Sequence, residues 1–227
     1  MRSASTKTRT RPGRQRAYHH GDLRRALIDV ALELVTREQD WAFSIRELAR
    51  RAGVSHRAPY NHFAEKLDLL AAVAAVGFER LRVALLRAID GIDDREAALI
   101  ALCRTYLRLG LENPALYRLM FGPALSATGA VDRPTVARVA GAQARAVLED
   151  VILEGARAGV FVLPAGAPNA VALAALSVWS ATHGLTMLLI DRIPPPNLSV
   201  EDMTETLLRS VIGGLRQARM AHSAQAR

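Results

Sequence analysis

A glycine turn between two short helical segments constrains the fold of this chain more than any other feature. The first segment opens with Ser44, a favourable N-cap, and Glu47 follows three residues later, as in a capping box. Its apolar side chains share one face: Ile45, Leu48 and Ala49. Gly53 ends this helix, because a residue without Cβ adopts the left-handed conformation at little cost. Ser55 then caps a second helix, so the spacing predicts a helix-turn-helix.

The second helix is the candidate recognition element. It carries several hydrogen-bonding side chains: His56, Arg57, Tyr60, Asn61 and His62. Such groups are better suited to reading base edges in a major groove than to packing a core. Pro59 lies only four residues after the cap, so we expect a tight first turn rather than a break. The alternative is structural, since similar helix pairs occur in bundles that do not bind DNA.

The positive charge of the chain is concentrated around this motif. Residues 1–66 carry fourteen Lys and Arg against seven Asp and Glu, a net charge of +7. Residues 67–227 carry sixteen against fifteen, a net charge of +1. A basic module beside a neutral one indicates a polyanionic partner for the first. A solubilising tail would explain the basic arm, but not the cations of the motif itself: Arg46, Arg50, Arg51, Arg57 and Lys66.

The resemblance to a known family is carried by the region from Asp22 to Leu70. Its motifs are an apolar helix over 22–38, Phe43-Ser44-Ile45, Leu48-Ala49, Ala52-Gly53-Val54-Ser55 and Tyr60-x-His62-Phe63-x-x-Lys66-x-x-Leu69-Leu70. This region resembles the DNA-binding domain of the TetR/AcrR family of bacterial transcriptional regulators. Pro59 departs from the family pattern, which often has leucine or isoleucine there. The resemblance implies that the long helix from Glu65 to about Ile89 links DNA binding to a regulatory domain.

The remainder of the chain reads as further helices. We expect helices over roughly 94–111 and 114–121, a loop over 122–131, and a helix from Asp132 to about Ala158. Alanine and leucine dominate and only 5% of residues are aromatic, which favours helices over strands. The predicted fold class is therefore all-α, with a three-helix helix-turn-helix domain followed by a larger helical ligand-binding and dimerisation domain.

Residues 158–190 contain no Asp, Glu, Lys or Arg, and the helix over 170–190 is long enough to span a bilayer. Polar residues interrupt this run and no second such segment exists, so we favour burial against a partner subunit. The last helix, capped by Ser199, carries a stripe that we predict to be the dimer interface: Val200, Met203, Leu207, Val211 and Leu215. Packing of this stripe within its own domain is the alternative.

A second resemblance concerns the regulatory domain. Trp179-x-x-x-His183-Gly184 looks like the domain type of this family that carries a Trp–His–Gly signature, as does Asn113-Pro114-x-x-Tyr117-x-x-Met120-Phe121. We expect a small apolar effector to bind here, lined by Tyr106, Met120, Phe121, Trp179, His183 and Met187. A solid Ala/Leu/Met-rich core would show the same pattern. A histidine in an apolar helix is more often a hydrogen-bonded core residue, and this is the favoured interpretation of His183.

The sequence shows no motif that indicates catalysis or metal binding. Phosphate-binding glycine loops and a Gly-x-Ser-x-Gly elbow are absent. The histidines and the single cysteine, Cys103, are too scattered to hold a metal, so we expect no enzyme activity, no metal and no cofactor. One cysteine and no apolar segment behind the basic N-terminus fit a cytoplasmic, nucleoid-associated protein that does not enter a membrane.

The chain is therefore predicted to be a dimeric, sequence-specific DNA-binding regulator, most simply a repressor that a small molecule releases from its operator. We assign base contacts to Ser55, His56, Arg57 and Asn61, and phosphate contacts to Ser44, Arg46, Tyr60, His62 and Lys66. The expected organisation is a disordered basic arm (1–17), the DNA-binding domain (18–66), the regulatory domain (67–219) and a flexible tail (220–227). The alternative is a DNA-binding regulator or architectural protein without an effector.

Overall fold

The computed structural model describes residues 20–122, 125, 135–163 and 167–217. Within these ranges, helices joined by turns and loops are the only regular secondary structure. The elements are α1 (His20–Glu38), α2 (Ile45–Arg51), a 3₁₀ helix (Ala58–Asn61), α3 (Lys66–Ile89), α4 (Arg95–Glu112), α5 (Pro114–Phe121), α6 (Val136–Arg157), α7 (Ala170–Ile190) and α8 (Val200–Gln217). The all-α prediction is confirmed. The predicted basic arm 1–17 and tail 220–227 lie outside the described residues, and the domain boundaries stay predictions.

The N-terminal helices close around a small core of their own. Leu27 and Leu34 of α1, Leu48 of α2 and Phe63 are almost completely buried. Trp41 and Phe43 pack against this core from the loop between α1 and α2. Helix α1 begins at His20, two residues before the predicted start at 22.

The predicted recognition helix is shorter and tighter than an α-helix. Only Ala58–Asn61 is helical, and it is a 3₁₀ helix. Pro59 has no N–H to donate to the carbonyl of Ser55, and that carbonyl instead accepts the N–H of Ala58 at 3.0 Å. The Tyr60 N–H likewise bonds three residues back, to the carbonyl of Arg57 at 3.2 Å. The expected tight first turn is present, but no α-helix continues from it.

The predicted capping box at α2 forms only in part. Ser44 Oγ accepts the backbone N–H of Glu47 at 3.1 Å, as expected. The Glu47 carboxylate does not return this bond, because it accepts from Arg50 and Arg51 at 2.7–2.9 Å. Gly53 has φ +68° and ends the segment in the predicted left-handed conformation.

Helix α3 packs against both the N-terminal and the C-terminal helices. Its 24 residues contact α1 at one end and α4, α5 and α6 along the rest of its length. Leu69, Leu70 and Val73 near its start are buried, as are Leu81 and Leu85 further along. A single rigid element therefore joins the helix-turn-helix to the C-terminal helices.

The boundaries of the C-terminal helices agree with the predicted ones within a few residues. The largest difference at a helix start is that of α6. Thr135 caps α6, with its Oγ1 accepting the N–H of Arg138 at 3.3 Å, so the helix begins later than Asp132. Asp132 itself lies outside the described residues, as does most of the predicted loop 122–131. Leu125 is described; it is helical and buried, which contradicts a loop at that position.

Candidate nucleic-acid interface and internal cavity

The turn and the 3₁₀ helix present an exposed polar surface. All four predicted base-contacting residues are exposed: Ser55, His56, Arg57 and Asn61. Tyr60 is 56% exposed, which is unusual for a large aromatic side chain, while its neighbour Pro59 is buried and anchors the segment. A rigid loop with outward hydrogen-bonding groups is able to probe a groove of DNA.

Charge on this surface is less uniform than the sequence indicates. Arg50 and Arg51 share the carboxylate of Glu47, and Arg51 also pairs with Glu38 at 2.5 Å. Hydrogen bonds from Arg50, then Arg51, lower the pKa of Glu47 to about 2. Arg46 and Arg57 have no carboxylate partner within the described part of the chain. These two arginines are therefore available to a phosphate or a base.

Lys66 is held at the start of α3. Its Nζ lies 4.8 Å from the centre of the Phe43 ring, a cation–π contact, and burial lowers its pKa. Lys66 is the first residue of this 24-residue helix, and the N-terminus of a helix attracts an anion through both its N–H groups and its dipole.

The other predicted phosphate contacts surround these groups. Ser44 is exposed, and its hydroxyl proton is free to donate although its oxygen accepts the cap bond. His62 is half-buried behind the 3₁₀ helix. The structure thus brings the predicted DNA-contacting residues to one region, formed by α2, the turn, the 3₁₀ helix and the start of α3.

A cavity of about 600 Å³ lies in the C-terminal half, bordered by α3, α4, α5, α6 and α7. Four of the six predicted ligand-binding residues line it: Tyr106, Met120, Phe121 and Trp179. His183 and Met187 do not line it. The lining residues on α3 and α6 were not predicted; they are Phe78, Leu81, Leu85, Ala137, Arg138, Gly141, Ala142, Ala144, Arg145 and Leu148. Their helical spacing is the same for a solid core, so no sequence signal distinguished them.

A cluster of aromatic residues forms the wall beside α5 and α7. Trp179 Nε1–H donates to the Tyr106 hydroxyl at 2.9 Å, and the hydroxyls of Tyr106 and Tyr117 are 2.9 Å apart. The Tyr117 hydroxyl also lies 2.6 Å from His183 Nδ1. The Phe121 ring packs 4.9 Å from the His183 ring, which explains how His183 supports the wall without reaching the cavity.

Burial sets the protonation states of this cluster. It raises the pKa of Tyr106 to about 12, raises that of Tyr117 further, and lowers the pKa of His183. Neutral tyrosines and a neutral imidazole therefore share the hydrogen bonds. Burial also raises the pKa of Cys103 to about 11, so its thiol is an inert core group. The described residues contain no group of three or more potential metal ligands.

Helices α7 and α8 pack against each other and both carry exposed or half-buried apolar side chains. The exposed ones on α7 are Leu173, Leu176 and Leu188, at 43–49% exposure. On α8, Val200 is 44% exposed, and Met203, Leu207 and Val211 are half-buried. Leu215, also predicted for the interface, is only 9% exposed and belongs to the core of its own chain. It lies on the inner side of α8, together with Thr204, Leu208 and Ile212.

Helix α7 is the one helix in the described ranges that is long and apolar enough to cross a membrane, a criterion that core helices of soluble proteins also meet. Only 28% of its most apolar stretch is buried within the chain. Its inner face contacts α4 and α6 and holds the hydrogen-bonded His183, so it is not surrounded by apolar groups on all sides.

Comparisons with known proteins agree with this architecture. Residues 27–73 match the sequence profile of bacterial regulatory proteins of the tetR family, and residues 99–211 match that of the tetracyclin repressor-like C-terminal domain. A protein of unknown function from Rhodococcus sp. RHA1 is 30% identical, with a TM-score of 0.73 over 89% of this chain and all of the other. The chain belongs to the tetR family of bacterial regulatory proteins.

Other tetR-like structures share the fold at lower identity. A bacterial regulatory protein of the tetR family from Rhodococcus RHA1 is 19% identical, with a TM-score of 0.61 over 85% of this chain and 96% of the other. RolR, crystallised in complex with resorcinol, is 21% identical, with a TM-score of 0.63 over 92% of this chain and 95% of the other. Among curated proteins, none matches the chain significantly. This tetR-family member is thus a transcriptional regulator with a helix-turn-helix DNA-binding domain.

Proposed function

We propose that the chain is a homodimeric repressor that binds a specific operator and is released by a small, mainly apolar effector in the internal cavity. The observation that carries this proposal is the dual role of α3. Leu69 and Leu70 at its start belong to the core beneath the helix-turn-helix, whereas Phe78, Leu81 and Leu85 line the cavity wall. A change at the cavity therefore acts on the same rigid helix that positions the DNA surface.

The base contacts of the proposal are made by exposed residues of the turn and the 3₁₀ helix. Arg57 suits guanine and Asn61 suits adenine, because each pairs bidentately with that base in the major groove. Ser55 and His56 lie at the same tip and reach neighbouring base edges. Loss of Arg57 or Asn61 relaxes sequence preference, since phosphate contacts remain.

The phosphate contacts come from a ring of residues around that tip: Ser44, Arg46, Tyr60, His62 and Lys66. Arg46 and Lys66 supply charge, and the Tyr60 and Ser44 hydroxyls supply neutral donors. Such contacts fix the register of the protein on the duplex without reading its sequence.

Dimerisation is proposed to use the apolar α7–α8 surface. Two copies packed there make a four-helix bundle that covers Leu173, Leu176, Leu207 and Val211. A twofold axis through this bundle places two helix-turn-helix units on successive major grooves, roughly 34 Å apart or a near multiple. Leu215 is not part of this interface, because it is already buried.

The effector acts by shifting the population of the dimer between two conformations. The ligand must bind more tightly to a form in which the two α3 helices no longer match the operator spacing; otherwise nothing changes. The cavity volume falls within the range of small-molecule sites, and its lining is mainly apolar, with aromatic side chains at Phe78, Tyr106, Phe121 and Trp179. The complex of RolR with resorcinol supports an aromatic effector for a protein of this fold.

The regulatory domain is further proposed to be of the type with a Trp–His–Gly signature, at Trp179, His183 and Gly184. Trp179 and His183 support this assignment by sharing one hydrogen-bonded cluster with Tyr106 and Tyr117. A Cβ on Gly184 would meet no atom of its own chain, which leaves room for a partner helix.

The DNA proposal is tested by mapping the genomic sites that the protein occupies in cells. A few discrete sites with twofold-symmetric sequences, lost in Arg57→Ala, support it. Occupancy that spreads over the chromosome without a shared sequence contradicts it. Reporter expression from the strongest site, with and without the protein, distinguishes a repressor from an activator.

The effector proposal is tested by filling the cavity. Ala142→Trp places an indole on the cavity wall, whereas Gln143→Trp, on the next residue of α6, places it outside. We expect compounds that raise the melting temperature of wild-type protein also to weaken its DNA binding. Ala142→Trp should bind DNA but lose this response, and Gln143→Trp should keep it. Compounds that stabilise the protein without any effect on DNA binding contradict the proposal.

A further inference from the structure

One end of the cavity has no hydrogen-bond donor left for a ligand. Apart from the Nε2–H of His183, whose side chain does not line the cavity, the cluster there contains three donors: the indole N–H of Trp179 and the hydroxyls of Tyr106 and Tyr117. The indole donates to the Tyr106 oxygen, and the hydroxyls lie within 2.6–3.1 Å of each other and of His183 Nδ1. In either arrangement of the two hydroxyl protons, every donor has an acceptor within the cluster. This end therefore offers an incoming molecule mainly aromatic surface.

The part of the wall that α6 forms carries positive charge that is only partly compensated. Arg138 and Arg145 both line the cavity, whereas no Asp or Glu appears among its described lining residues. Arg145 is paired with Glu149 at 3.0 Å. Arg138 has no such partner in the described ranges, although carboxylates are the usual neighbours of arginine on this protein. A solvated but unpaired guanidinium beside an apolar wall favours a carboxylate.

The N-terminus of α6 adds to the same corner. Thr135, Ala137 and Arg138 belong to the cap and first turn of this 22-residue helix, and all three line the cavity. The first amides of a helix have no intrahelical acceptor, and the helix dipole is positive at this end. Two independent sources of positive potential, the guanidinium and the helix terminus, thus coincide at one place on the wall.

We propose that the effector is an apolar monocarboxylate, with its acid group at Arg138 and the α6 N-terminus and its body among Phe78, Leu102 and Phe121. This inference rests on the proposed function, since it specifies the chemistry of the same effector site. The neutral groups of the aromatic cluster then select for a flat or unbranched apolar body, and the arginine selects for the charge.

The test compares 4-phenylbutyrate with its uncharged amide, 4-phenylbutanamide, as probes of the full chain. Binding is measured by calorimetry for wild type, for Arg138→Gln and for the control Arg157→Gln, an exposed arginine of α6 outside the cavity lining. We expect the acid to bind wild type about tenfold more tightly than the amide. This preference should shrink at high salt, vanish in Arg138→Gln and persist in Arg157→Gln.

Each contrary result has a distinct meaning. Equal binding of acid and amide to wild type, no binding of either at millimolar concentration, or an acid preference that survives Arg138→Gln overturns the monocarboxylate inference. A separate DNA-release assay addresses the proposed function. Release by neutral compounds but not by acids leaves the proposed function standing without this inference. Tight binding of the acid with no effect on DNA supports the carboxylate site and contradicts the release mechanism.

Discussion

At the scale of single residues, Glu47 decides which arginines of α2 are paired with a carboxylate and which are not. Its carboxylate accepts bonds from Arg50 and Arg51, and leaves Arg46 unpaired within the described residues. The sequence predicts a capping box because Ser44 and Glu47 have the right spacing. It cannot show that two guanidinium groups, three and four residues further along the same helix, compete for that carboxylate more strongly than one backbone N–H.

Arg46 and Arg50 differ in whether a carboxylate pairs with them, so substitutions at these two positions form a matched pair. Arg46→Gln should weaken binding to specific and unrelated DNA alike, because it removes a cation available to phosphate. It should also reduce the slope of log K against log salt by about 1. Arg50→Gln, one turn away, should change that slope less, because its charge is already compensated. A wild-type slope in Arg46→Gln would show that Arg46 does not contact phosphate.

At the scale of elements, most helices could be predicted from sequence because apolar periodicity and caps coincide. Asp94 caps α4 and Ser199 accepts the N–H of Asp202 at the start of α8, as those residue types indicate. The recognition element could not be predicted fully. Its motif indicates an α-helix, and Pro59 limits it to 3₁₀ geometry by removing one donor. The cavity could not be predicted from the sequence either, because cavity-lining residues and core residues recur with the same helical periodicity.

Close packing of α4 against α7 is tested at Gly110. A Cβ there would lie 2.4 Å from Cγ2 of Thr186, a side chain that is fully buried and bonded to the carbonyl of Thr182. Because nothing nearby is free to move, Gly110→Ala should destabilise the fold by about 1–3 kcal/mol. The control Gly213→Ala, where a Cβ meets no atom, should stabilise α8 by up to about 1 kcal/mol. Denaturant titration measures both, and a neutral Gly110→Ala would contradict this packing.

The aromatic cluster gives stability a defined dependence on pH. Burial lowers the pKa of His183, and the titratable groups facing it, Tyr106 and Tyr117, are neutral. The unfolded chain therefore takes up the proton first as pH falls below about 6.5, and the folded state loses stability from there downward. This group alone contributes at most about 1.4 kcal/mol per pH unit. Melting temperature should fall less steeply between pH 6.5 and 5 in His183→Asn, and identical slopes would contradict the assignment.

At the scale of the whole molecule, the proposed dimer places the control of DNA-surface spacing on two helices far along the chain, α7 and α8. The sequence placed an apolar stripe on the last helix, and the structure divides it into an outer part around Leu207 and an inner part that includes Leu215. Sequence periodicity alone could not make that division, because the two parts are less than a quarter of a helix turn apart.

Oligomeric state tests the outer part directly. Leu207→Arg introduces a charge in the proposed interface and should yield monomers by light scattering, with unchanged helical content. Thr206→Arg introduces the same side chain at an exposed position on another side of α8, and should leave the dimer intact. A dimeric Leu207→Arg would rule out this interface.

The central claim is that the exposed tip of the helix-turn-helix reads a specific DNA sequence as part of a dimer. One measurement tests this claim most directly. It is a titration of the full chain against a labelled fragment from upstream of its own gene and a shuffled fragment of the same composition, at physiological salt. We predict binding to the native fragment at least about 10³-fold tighter, with two protomers, or a multiple of two, per site. Equal affinities that vary only with salt would contradict the account.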